Sequence, residues 1–87
     1  MNERLEYFTN DRFKVLKYLY DIKNPSGVIA ITQAEVCKDT KINPTTMNGI
    51  FKQLKELELL EHGEGKLGRY IMTKKGIEIV EKLLSIN

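Results

Sequence analysis

The chain has 87 residues, 41% hydrophobic and 30% charged, with a formal net charge of +2 and a pI near 8.7; this is ordinary globular composition and predicts a single small domain over residues 1–87, with about 60–65% of its unfolded surface buried. No apolar run is long enough to span a bilayer, and the opening Met1-Asn2-Glu3-Arg4-Leu5-Glu6 lacks the apolar stretch of a signal peptide. One cysteine cannot close an internal disulfide, so the expectation is a cytoplasmic protein with no membrane partner.

Residues 1–8 read as an N-terminal arm, with Leu5, Tyr7 and Phe8 apolar enough to dock on a partner subunit. Thr9 and Asn10 are suited to cap a helix running to about Ile22. Its apolar residues Phe13, Val15, Leu16, Leu19, Tyr20 and Ile22 cover about half the circumference. Lys23-Asn24-Pro25-Ser26-Gly27 is turn chemistry, and Val28-Ile29-Ala30-Ile31 is a β-branched run too short to stand alone. Thr32-Gln33-Ala34-Glu35 is a capping box that starts a short second helix ending near Thr40.

The third helix carries the strongest signal. Asn43 can accept from the free N–H groups of the first turn, and Pro44 at the first helical position loses only an N–H that had no partner. At about 100° per residue, Met47, Ile50, Phe51, Leu54 and Leu57 fall within about 120° of one another, enough to face a core. The opposite arc holds Thr45, Asn48, Gly49, Lys52 and Glu56, edged by Thr46, Gln53 and Lys55. Thr, Asn and Gln donate to and accept from base edges, and Lys reaches guanine or phosphate. The ordinary alternative is a solvated helix face.

Beyond Leu57, Leu59-Leu60-Glu61-His62 and Arg69-Tyr70-Ile71-Met72 read as two strands flanking the glycine-rich loop Gly63–Gly68, a hairpin. Thr73 caps a last helix from Lys74 to about Ile86. Gly76 in its first turn costs up to about 1 kcal/mol relative to Ala, which a close approach of another backbone segment would explain. Cys37 has no second cysteine or histidine beside it, so a small buried side chain is expected rather than a metal ligand. His62 has no evident acid–base partner, and Gly63, Gly65 and Gly68 do not open a helix in a βαβ context. The expectation is a non-enzyme with no metal and no cofactor.

The order is helix, short strand, helix, helix, two-stranded wing, C-terminal helix: α+β, mostly α. In this order the chain resembles a winged helix-turn-helix domain of the kind found in MarR-, ArsR- and PadR-like transcriptional regulators. The resemblance covers roughly Arg12 to Leu84. It is carried by Arg12-Phe13-Lys14-Val15-Leu16-Lys17-Tyr18-Leu19, by Ile42 to Leu60, and by Tyr70-Ile71-Met72-Thr73-Lys74-Lys75-Gly76, which resembles the junction often written Tyr-x-Leu-Thr-x-Lys-Gly. It implies that helix 44–57 enters the major groove and that wing 61–72 touches the flanking backbone or minor groove. The base-facing candidates are then Thr45, Asn48, Gly49 and Lys52, with Thr46 and Gln53 flanking and Lys66 and Arg69 on the wing. The chain departs from the domains it resembles at Gly49, a position often occupied by Arg in them, and Glu61 and Glu64 would repel phosphates.

The last helix is apolar over about 180°, more than a three-helix core needs. Either it is simply well buried, or it forms a homodimer interface, for which Leu5, Phe8, Ile79, Leu83 and Ile86 are the candidates. Two functions remain open at this point. The first is a dimeric, sequence-specific double-stranded-DNA-binding regulator, most simply a repressor, with any small-molecule effector unknown. The second is a winged-helix protein-interaction or replication and maintenance module, favoured by the low net charge, Gly49 and the acidic wing.

Overall fold

The computed structural model describes residues 11–63 and 70–86, Ile86 by its backbone only. Among these residues the chain forms four helices and a three-stranded antiparallel sheet: α1 Asp11–Ile22, β1 Val28–Ile29, α2 Gln33–Thr40, α3 Pro44–Glu56, β2 Leu60–His62, β3 Tyr70–Met72 and α4 Lys74–Ile86. It is a small, mostly helical α+β domain. Thr9, Asn10, Leu5, Phe8, Lys66 and Arg69 lie outside the described residues, as does the side chain of Ile86.

Local chemistry starts α2 and α3. The Thr32 side chain accepts from the Glu35 N–H while the Glu35 carboxylate accepts from the Thr32 N–H, closing the expected capping box. The Asn43 side chain accepts from the Thr46 N–H at 2.8 Å, with Pro44 directly behind it. Between the helices, Lys41 takes a left-handed conformation (φ 61°) and returns its N–H to the Cys37 carbonyl at 2.8 Å. Thr40, buried at this turn, satisfies its hydroxyl on the Val36 carbonyl at 2.6 Å.

The core is a single apolar cluster drawn from every element. Val15, Leu16 and Leu19 of α1, Val36 of α2, Met47, Ile50, Phe51 and Leu54 of α3, and Val80 of α4 close on Ile29, Leu60, Tyr70 and Met72 of the sheet. Tyr70 lies edge-on to Phe51, ring centroids 5.0 Å apart, so the middle strand is keyed directly to α3. Two expected core members are outside. Leu57 is 52% exposed because it is the cap residue of α3, and Glu58 then turns the chain through φ 63° away from the helix face. Ile22, the last residue of α1, is 38% exposed. Ala34 is also exposed, leaving Val36 as the buried residue of α2, and Cys37 is half-buried rather than enclosed.

The run Val28 to Ile31 is a strand only over its first two residues, and its partner is remote in sequence. Val28 faces Ile71 and Ile29 faces Tyr70, so β3 is central and the sheet order is β1-β3-β2. On the other side Leu60, Glu61 and His62 face Met72, Ile71 and Tyr70. Gly27 makes the β1 junction possible. Its φ is +86°, and a Cβ there would lie 2.7 Å from the Met72 carbonyl oxygen. Asn24 shapes the turn before it, accepting from the N–H groups of Ser26 and Val28.

The start of α4 is tied to the end of α3. The Thr73 hydroxyl accepts from the Gly76 N–H at 3.0 Å and donates to the Glu58 carbonyl at 2.7 Å, while the Thr73 N–H donates to the Leu59 carbonyl at 3.1 Å. Gly76 is buried against that same Leu59 carbonyl, and a Cβ would fall on its oxygen. Gly76→Ala is expected to destabilise the domain by about 1–3 kcal/mol although alanine is the better helix former; denaturant unfolding checks this.

Two tyrosines join α1 to its neighbours. The Tyr18 hydroxyl donates to Asp39 of α2, and the Tyr20 hydroxyl donates to Glu81 of α4 at 3.0 Å. The hydrogen bond to Asp39, then burial and the nearby carboxylates, push the Tyr18 phenol up to about 12; Glu81 raises Tyr20 in the same way. An unfolded tyrosine ionises near pH 10. The unfolded chain therefore releases these protons first, and stability falls as pH rises from about 10 towards 12. Tyr18→Phe is expected to be less sensitive than wild type over that window in melting-temperature measurements.

Candidate nucleic-acid interface

The six predicted residues of α3 share one solvent-facing surface. Thr45, Thr46, Asn48, Gly49, Lys52 and Gln53 are all exposed, while Met47, Ile50, Phe51 and Leu54 on the opposite side are buried. The division follows helical spacing, and the Asn43–Pro44 start sets its phase. The structure brings these residues together as a ridge with a shallow groove on either flank. One groove, about 440 Å³, runs between α3 and the start of α2 and is lined by Gln33, Asn48, Phe51, Lys52, Lys55 and Glu56. The other, about 470 Å³, runs towards the start of α1 beside Arg12, Thr46, Gly49 and Gln53.

Two contributors to this surface were not among the sequence candidates. Gln33, at the first position of α2, donates from Nε2 to Oδ1 of Asn48. Arg12, at the start of α1, donates from Nη1 to Oε1 of Gln53 at 3.3 Å. Each amide of the α3 ridge is thus held by a side chain from another helix. No periodicity within α3 could reveal this; a polar residue opening α2 and a basic residue opening α1 were the only available signals. Lys52 makes no hydrogen bond or ion pair with a described residue and keeps its ammonium free.

His62, at the edge of the sheet, is exposed and fixed from two sides. Its ring lies 5.3 Å from that of Tyr70 at a 31° tilt, and its Nε2 is 3.0 Å from Nζ of Lys55. With Phe51 behind Tyr70, the contacts form a column from the core to the hairpin surface. Burial raises the Tyr70 phenol above its ordinary value, so it stays protonated and neutral through the physiological range. The exposed carboxylates Glu56, Glu58 and Glu61 lie at this end of α3 and along β2.

Of the proposed dimer residues, Ile79 and Leu83 are half-buried, and Ile79 packs partly against the core together with Ile77 and Leu84. Among the described residues no group of His, Cys, Asp and Glu side chains is placed to hold a metal ion. None of the described helices is long and apolar enough to cross a membrane. Comparison with known proteins found no matching family model, no matching curated protein and no matching solved structure.

The ridge contains one residue the fold does not require. A Cβ built at Gly49 meets no neighbouring atom within 4 Å, whereas at Gly27 and Gly76 it would run into backbone oxygen. Gly49 occupies the interior of an exposed helix face, where glycine costs about 1 kcal/mol relative to alanine. Gly49→Ala is expected to stabilise the domain by up to about 1 kcal/mol in denaturant unfolding, the opposite sign to Gly76→Ala.

Proposed function

We propose that the protein is a sequence-specific double-stranded-DNA-binding protein built on a winged helix-turn-helix, with α3 as the major-groove helix and the β2–β3 hairpin as the wing. The observation that carries this reading is the α3 ridge: an uncharged polar surface with one free lysine, unused by the core and interrupted by a glycine the fold does not need. Such a ridge is matched to base edges, and a bare backbone at Gly49 admits a ligand surface closer than any side chain would. The hydroxyl of Thr46 at the helix start suits a phosphate contact. The element order and the β1-β3-β2 sheet are compatible with this architecture.

In this reading the protein acts as a homodimer whose interface uses α4 together with α1 or residues 1–8. Ile79 and Leu83 retain enough exposure to contribute. A two-fold dimer presents two α3 helices to half-sites about 10–10.5 bp apart or a multiple of that. Occupancy of a promoter by such a dimer is enough for repression.

A second reading has its own observation. Leu57 is 52% exposed and lies between Glu56 and Glu58, with Glu61 on the adjoining strand. An exposed apolar side chain with acidic residues on either side of it in sequence suits a protein partner and disfavours DNA, so a winged-helix interaction or replication and maintenance module is the alternative.

Selection from a random duplex library by the purified chain separates the two. An inverted repeat with half-sites about 10 bp apart is expected, with retention that falls steeply as salt rises. Asn48→Ala and Lys52→Ala are each expected to lose about 1–3 kcal/mol of binding to the selected site at unchanged melting temperature. Absence of any DNA retention would transfer the assignment to the protein-interaction reading.

A further inference from the structure

We infer that Gln33 sets the base preference of α3 by turning the Asn48 amide, so that the ridge selects guanine over adenine at the base pair Asn48 faces. The inference rests on the DNA-binding reading above. A primary amide carries an acceptor oxygen on one side and a donor NH2 on the other. A free asparagine reads adenine by using both at once, accepting from N6 and donating to N7. Here one of the two lone pairs of Asn48 Oδ1 is taken by the Gln33 Nε2 donor, which turns the oxygen edge of the amide towards α2 and its NH2 edge away from Gln33. The same holds one and a half turns later, where Oε1 of Gln53 is engaged by Arg12.

The ridge therefore carries two amide donors on the edges turned away from the side chains that hold their oxygens, with the free Lys52 ammonium between them. Guanine presents two acceptors, N7 and O6, in the major groove; adenine presents an acceptor beside a donor. A donor-rich surface meets guanine with every group paired. Against adenine it sets the N6 donor opposite another donor, and the unmatched polar groups are what discriminate. Gln33 makes this happen from outside α3. It is the first residue of α2, its side chain is half-buried, and it lines the groove with Asn48 and Lys52.

The test is the base preference at one position, measured by duplex-library selection with the full chain. Wild type is expected to favour guanine over adenine by at least about fivefold at one base pair of each half-site, and Asn48→Ala to flatten that position alone. Gln33→Met keeps the side-chain length but removes the donor. It frees Oδ1 and is expected to move the preference at that same pair towards adenine, with the rest of the site unchanged. Gln33→Glu can only accept, so it turns the Asn48 amide round and shifts the same pair in the same direction. Its added charge weakens all sequences together, so the ratio at that pair is the quantity compared. Glutamate at a helix start is favourable, so this variant reports even if the methionine variant folds poorly. An unchanged motif in both variants, or adenine selected by wild type at the pair that Asn48→Ala flattens, overturns the role of Gln33 and leaves the DNA-binding reading standing. No enriched sequence with wild type overturns both.

Discussion

The domain depends on the hydrogen-bonded junction where α3 ends and α4 begins. Thr73 uses its hydroxyl twice and its N–H once, gripping the carbonyls of Glu58 and Leu59 while receiving the N–H of Gly76. The junction joins residues 14 to 17 positions apart in sequence, and it works only because Gly76 lets the first turn of α4 sit on the Leu59 backbone. Leu59 is also bound by its own N–H to the Leu54 carbonyl, inside the last turn of α3. The end of the helix, the entry to β2 and the start of α4 are thereby one rigid unit. The angle at which α3 leaves the core is set there, with the Phe51–Tyr70 contact fixing its rotation.

Fixing that rotation gives the exposed face of α3 a definite chemistry. The apolar half of the helix is consumed by the core, so side chains on the other half are free to be chosen for reasons other than packing. They are nevertheless not loose. Arg12 and Gln33 reach across from α1 and α2 to hold the two amides, and Lys55 is engaged with His62. Lys52 is left without a partner among the described residues, beside two amides that are already held, which lowers the ordering entropy that a partner would have to overcome.

The sequence was most readable where structure is made by neighbours in the chain. Thr32 with Glu35 and Asn43 with Pro44 are contacts within a few residues, and both helix starts fall where those residues place them. The spacing of Met47, Ile50, Phe51 and Leu54 likewise predicts the buried side of α3. What could not be read involves distance. Val28 and Ile29 gain strand character only from Tyr70 and Ile71, more than forty positions on, far beyond the short loops that join hairpin strands. Leu57 continues the apolar period, but the left-handed residue after it ends the helix and leaves it in solvent. The candidate site divides in the same way: its α3 residues follow from periodicity, whereas Arg12 and Gln33 belong to it only through tertiary packing. The close approach inferred at Gly76 is an intermediate case, since a glycine in a helix start announces a neighbour without naming it.

Gly49 also bears on how this protein tolerates change. Open space around the position means that a methyl group is accommodated without any rearrangement. The site can therefore act as a general suppressor: an alanine there offsets part of the loss from a damaging substitution anywhere in the core, roughly a single small defect's worth. In a small domain with marginal stability, such a reserve enlarges the set of sequences that still fold. It also makes the Gly49→Ala background the natural one in which to survey the core, because variants that would unfold the parent remain measurable there.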